Sequence, residues 1–356
     1  MPKSGASGYA AISARVRAMY SSALSPQDFA RLSDAPDFPS LIGQLKNTAY
    51  GPYLEGLKDK ELIPRRVISQ LKKRLADSYY SVIHMAPEHT RPLLTHLYRY
   101  FEVDNLKAIL RGIVTDPNWE RVKDVLFPFG SMTVLPAQAM VESGSVSAAV
   151  ELLRGTVYEE TLSFAMKRYS VEQNLFPLEV ALDLNYWRQL WRLAGRLPGQ
   201  DREQALRVVG TMIDMNNLMW AIRYRVYHRL SEEELINYTL PFGYQVRDED
   251  VRAIAAGAEI STIVQRIYPH IPDVSALLEE PRSGLPQLEL QLKRHVMKKS
   301  MAAFVGNPFH IGIPLAFLIL SDLEIQDLTV LIEAKSSQMP AEMYRPYLLK
   351  AALTRT

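Results

Sequence analysis

Apolar positions recur at three- and four-residue intervals along most of this chain, with polar residues filling the gaps. Leu285, Leu288, Leu292 and Val296 form one such stripe, and Gln287, Glu289, Gln291, Lys293 and Arg294 lie between them. That spacing predicts an amphipathic helix with one buried face. Val67, Ile68, Leu71 and Leu75 repeat the pattern after Pro64, a residue suited to a helix's first turn. The run 178–193 is apolar and places Trp187 and Trp191 four positions apart, on one helical face. Prolines mark the joints between these runs and leave room for helices of roughly 12 to 25 residues. Alternating β-branched runs bounded by turns do not occur. The expected fold class is all-α.

The pattern is written three times. Glu102-Val-Asp-Asn105-Leu106, Asp214-Met-Asn-Asn217-Leu218 and Glu324-Ile-Gln-Asp327-Leu328 share an acid, an Asn or Asp three positions on, and a leucine; the leucines are 112 and 110 residues apart. Tyr50, Tyr158 and Tyr268 close a second repeated segment, and 126–130 echoes 240–243 around Pro-Phe-Gly. Self-similarity at a fixed period marks a repeat architecture. Two short helices are expected to open each unit (27–32 and 39–45, 135–142 and 145–153, 248–256 and 261–267), and longer helices follow. The units run 1–127, 128–240 and 241–356, with 1–8 as a disordered lead. Residues 12–17 echo the helix that closes the other units, since an arginine (Arg17, Arg111, Arg223) follows the marker in three copies and Glu333 takes that place in the last. A spare final helix at the start of the chain could therefore pack against the C-terminal unit.

Composition narrows the function. The 356 residues include 41 basic and 39 acidic side chains, for a net charge of +2, which is not the one-signed field that a phosphate backbone demands. There are no cysteines, so thiolate zinc sites and cysteine nucleophiles are excluded. The N-terminus lacks the apolar segment of a signal peptide. The stretch 300–321 has no charged residue, but Gly306, Pro308, His310 and Pro314 interrupt it, and its ten-residue apolar run 311–320 fits a buried helix better than a bilayer crossing.

Candidate chemistry is sparse. No Gly-Lys dipeptide exists to build a phosphate-cradling loop, and no Gly-x-Ser-x-Gly marks a serine nucleophile. His84, His89 and His96 are spaced five and seven apart, which does not place two imidazoles on one helical face at i and i+4. The basic clusters Arg65-Arg66, Lys72-Lys73-Arg74 and Lys293-Arg294 with Lys298-Lys299 read as solvated helix faces, or as contacts to acidic loops or lipid headgroups if they share one surface. The repeated Asn105, Asn217 and Asp327 read first as polar residues that bond a neighbouring helix, and the arginines as partners of carboxylates inside each unit. No catalytic, cofactor or metal residues are expected.

In these motifs the chain resembles the C subunit of the archaeal and bacterial A/V-type rotary ATPases, the counterpart of the d subunit of the vacuolar enzyme. The likeness spans essentially the whole chain, through Tyr9-Ala-Ala-Ile-Ser-Ala-Arg15-Val-Arg17, Leu45-Lys-Asn-Thr-Ala-Tyr50, Tyr100-Phe-Glu102-Val-Asp-Asn105-Leu106 with Arg111, 214–223 with Asn217 and Arg223, and 324–328. Asp327 departs from the Asn of the other copies. The resemblance implies three similar helical domains in a pseudo-threefold funnel. It implies a non-catalytic central-stalk component, one copy per complex, peripheral on the cytoplasmic face of the membrane. Its partners would be the D and F subunits of the axle and the cytoplasmic loops of the rotor ring, with no cofactor and no nucleic acid. The complex would couple ATP turnover to proton or sodium transport. The alternative is a helical-repeat scaffold whose concave surface binds unrelated partners.

Overall fold

The computed structural model describes residues 6–58, 61–116, 118–228 and 230–350, and every regular element among them is helical. The chain opens with α1 (Ala6–Ser21) and three short helices, α2 (Pro26–Ser33), α3 (Phe38–Lys46) and α4 (Gly51–Leu54). A long hairpin follows, α5 (Pro64–Met85) and α6 (Arg91–Thr115). After α7 (Trp119–Val122) the plan repeats: short α8 (Ala137–Glu142) and α9 (Val146–Glu151), then α10 (Glu159–Glu172), then the hairpin α11 (Phe176–Gly195) and α12 (Gly199–Arg223). The third pass has α13 (Glu232–Asn237), α14 (Asp248–Ala255), α15 (Ile260–Ile267) and α16 (Val274–Glu279) before the hairpin α17 (Pro281–Ala302) and α18 (Gly312–Ser336), and α19 (Ala341–Tyr344) ends it. The short helices expected from the sequence fall on α2, α3, α8, α9, α14 and α15. The disordered lead expected over 1–8 is instead helical from Ala6, and 1–5 lie outside the described residues.

Local chemistry fixes these ends. Ser25 and Ser231 build capping boxes with Asp28 and Glu234, and the side chains of Asp37 and Ser145 accept from the first turns of α3 and α9. Prolines occupy the first turn of α5, α6, α11 and α17, where a missing N–H costs nothing.

The six long helices touch in the order α5, α6, α11, α12, α17, α18, and α18 returns to touch α5. They close a ring whose last contact joins opposite ends of the chain. The apolar run 311–320 is buried throughout, because α18 packs on α1, α3, α5, α12 and α17 together. Burial on every side explains a helix without a polar face. Among the described residues, no helix is long and apolar enough to cross a membrane. The spare helix α1 docks on this last hairpin: Ser13 Oγ donates to the Pro308 carbonyl at 2.6 Å, and the Tyr20 ring stacks on Phe304 at 4.5 Å.

Candidate functional site

Each repeated acid is buried and each is surrounded by donors. Glu102 on α6 accepts from Val134 N at 2.6 Å, Thr133 Oγ1 at 2.9 Å and the Tyr158 hydroxyl at 2.8 Å. Glu324 on α18 accepts from Leu24 N at 3.0 Å and the Tyr50 hydroxyl at 2.7 Å, with Lys350 and Arg74 alongside. Two markers that the sequence presents as separate repeats thus meet as acid and phenol. In the second case they are 274 residues apart, and that bond helps close the ring. Asp214 on α12 works differently. It accepts three backbone amides, from Tyr244 and Gln245 at 2.7 Å and Val246 at 3.1 Å. Burial pushes its carboxyl up to about 6, against the pull of those amides. The close approach needs Gly243, where a Cβ would lie 2.2 Å from the Asp214 Oδ1.

Three positions on, the amides act as clamps. Asn105 Oδ1 accepts from Phe127 N at 2.6 Å while its Nδ2 donates to the Phe127 carbonyl at 2.9 Å. Asn217 does the same to Leu240, both bonds at 2.9 Å, and also donates to Phe242 O at 3.2 Å. Asp327 cannot donate. Its two oxygens accept from Leu349 N at 2.7 Å and Lys350 N at 2.9 Å, which accounts for the departure from Asn. Burial pushes the Asp327 carboxyl up to about 6, partly offset by those two amides.

The repeated arginines reach forward rather than staying within their own unit. Arg111 forks onto Glu179 of α11 at 2.5 and 2.8 Å, and Arg223 pairs with Glu289 of α17. Arg17 instead donates to the Phe304 carbonyl at 3.0 Å. Arg15 is exposed on α1 and lines a surface groove with Tyr53 and Asp77. One basic cluster departs from the solvated-face expectation: Arg74 is nearly buried, lies over the Tyr50 ring at 4.6 Å and faces Glu324 at 3.7 Å. Its neighbour Lys72 has its ammonium pushed down by burial, with Asp322 and Asp104 pulling the other way.

At one end of the ring the three hairpin tips meet around Asp201. Its carboxylate accepts from Ile311 N at 2.9 Å and lies 2.9 Å from His89 Nε2, so it joins the tips of all three hairpins. Asn307 Nδ2 adds a bond to Gln200 Oε1 at 2.9 Å. His96 instead sits against the Tyr186 carbonyl at 2.9 Å, and burial pushes its imidazole down to about 4.

Inside the ring lies a cavity of about 150 Å³ to which all six long helices contribute, among them Tyr79, Tyr100, Trp187, Met215, Lys293 and Asp322. Aromatic rings form much of its wall. Its acids have partners: Glu289 lies 3.1 Å from Lys293, and the Gln326 amide donates to Asp322 at 2.9 Å. Burial pushes the Asp322 carboxyl up to about 6. Neither Asp322 nor Asp201 belongs to a motif of the sequence. An acid placed shortly after a ten-residue apolar run is a readable signal for the first; nothing local marks the second.

The described residues form a triplicated helical hairpin closed on itself. The family model for the ATP synthase (C/AC39) subunit matches residues 12–347, and the chain belongs to that family. It is similar to the C subunit of the A-type ATP synthase of Methanocaldococcus jannaschii, 24% identical over 96% of this chain and 86% of that protein. The protein of the same description from Methanothermobacter thermautotrophicus is 27% identical over 80% of this chain and 74% of its own. That of Pyrococcus horikoshii is 24% identical over 92% and 87%. The chain is therefore a subunit of an A/V-type ATPase, and a structural one rather than the catalytic one.

Proposed function

We propose that this protein is the central-stalk coupler of a rotary ATPase, seated on the cytoplasmic mouth of the membrane rotor ring and holding the lower end of the D–F axle. The observation that carries the reading is the closed ring of six long helices around an axial cavity to which all six contribute. A part that passes torque must resist shear, and close-packed helices joined across every seam supply that stiffness. Three domains, 1–127, 128–240 and 241–356, form a pseudo-threefold funnel with the axle socket on its axis. Closure through Tyr50 and Glu324 speaks against an open scaffold.

In this reading Tyr50, Asn105, Arg111, Asn217, Arg223 and Asp327 keep the three domains in register, while the partner-binding surfaces lie elsewhere. Arg15 and Arg17 belong to the α1 strap. One copy per complex passes rotation from axle to ring, so ATP turnover is coupled to proton or sodium movement without any bond made in this protein. The test is co-purification and crosslinking. A photo-crosslinker at Lys293, beside the cavity, is expected to capture the D or F component of the axle. Capture of neither axle nor ring components from any face of the assembled complex would overturn the reading.

A further inference from the structure

The near-neutral net charge conceals a strong segregation. Residues 231–280, the short-helix lobe before α17, carry ten acidic and three basic side chains. The hairpin-tip end is the reverse. Arg196 and Arg202 flank the second tip, and Lys298 and Lys299 end α17 beside the third. All four are exposed and none forms an ion pair among the described residues. Glu88 and Glu203 are the exposed acids of the first and second tips. Apolar side chains stand out from the same end: Val305 is 81% exposed and Phe309 37%, both on the third tip, and Met85 is 40% exposed beside the first. The Asp201 junction and the Asn307–Gln200 bond hold these tips together, so cations and apolar groups share one surface.

We propose that the hairpin-tip end is a lipid-facing surface that binds anionic phospholipid headgroups, with Val305 and Phe309 entering the headgroup layer and Arg196, Arg202, Lys298 and Lys299 meeting the phosphates. Unpaired cations around projecting apolar groups are the chemistry of peripheral membrane contact. An acidic protein loop would also attract the cations and cover the apolar side chains, and the vesicle and detergent arms of the test below separate the two partners. The inference goes beyond the coupling role and stands on charge and exposure alone. It also orients the molecule, with the tips toward the bilayer.

The test is flotation of the full chain with vesicles of mixed phosphatidylglycerol and phosphatidylcholine, against phosphatidylcholine alone. Binding is expected only with the anionic vesicles and should fall as salt rises. Each cation contributes about a fivefold factor in partition, so Lys298→Glu with Lys299→Glu should lower binding by at least about tenfold. Val305→Ser should weaken it with the charges intact, and Glu232→Lys with Glu233→Lys in the acidic lobe should not weaken it. Absence of binding to anionic vesicles at low salt overturns the proposal. So does equal binding to both vesicle types, or capture of rotor-ring protein in detergent that the tip variants abolish without any vesicle binding. That last result would leave the coupling role standing, whereas loss of ring and axle capture would remove it independently.

Discussion

Glu102 and Asp214 occupy the same place in two copies of one motif and solve the same problem with different chemistry. The longer glutamate reaches past the loop to a hydroxyl and a phenol as well as an amide. The shorter aspartate stays close and takes three consecutive backbone amides, which only a glycine at 243 permits. Tyr268, the third copy of the repeated tyrosine, is buried near Asp214, and its phenol is pushed up by burial first and by that carboxylate second. The phenol–carboxylate bond is thus seen at Glu102 and Glu324 and not at Asp214. The repeat keeps a geometrical demand, a buried acceptor that anchors the next segment, and leaves the donors free to vary.

The clamps give the largest test of this comparison. Asn217→Leu should cost about 4 kcal/mol, since a buried amide and two buried carbonyls lose partners together. Asn105→Asp should cost about 3 kcal/mol because a carboxylate oxygen would face the Phe127 carbonyl. Asp327→Asn should cost only about 1 to 2 kcal/mol, one acceptor being lost. Urea unfolding measures all three, and equal costs at 105 and 327 would break the distinction drawn between them.

Gly243→Ala should destabilise by about 2 to 3 kcal/mol, because the added methyl must displace either the Asp214 carboxylate or the Val246 carbonyl. Gly130→Ala, at φ +72° in open space, should cost about 1 kcal/mol. A reversed order in thermal melts would show that Asp214 tolerates displacement.

The phenols separate the seats further. Tyr50→Phe and Tyr158→Phe each leave a buried carboxylate short of a donor and should cost about 1 to 2 kcal/mol. Tyr268→Phe should cost less than about 0.5 kcal/mol. Three equal values would mean that the third phenol is bonded to Asp214 in solution.

A further effect is a pH dependence. Asp322 has a folded pKa near 6 and an ordinary one of 3.8, so it binds a proton more tightly in the native state. Its contribution is fully present below about pH 4 and is lost as pH rises through about 6. Asp322→Asn should therefore raise stability at pH 7 by about 1 kcal/mol, a figure reduced for its partial exposure, and leave pH 4 unchanged. Denaturant midpoints at both pH values test this, and a variant no more stable at pH 7 would show that the cavity solvates the carboxylate.

Periodicity alone determined that this chain is helical, where its short helices lie and that it is written three times, because spacing and capping are local properties that residues carry with them. The buried nature of 311–320 was legible for the same reason. What each marker bonds was not. Glu102 finds Tyr158 and Glu324 finds Tyr50 only once helices have crossed, and Arg111 and Arg223 pair with the following hairpin although the motif suggests a partner at home. Asp201 carries no local signature, since its role comes from three loop tips converging on one carboxylate. The cations of the second and third tips were hidden as well, because a sum along the chain cannot say which residues share a surface. The ring and the cavity inside it are consequences of closure, and closure joins residues whose distance along the chain no local pattern can bridge.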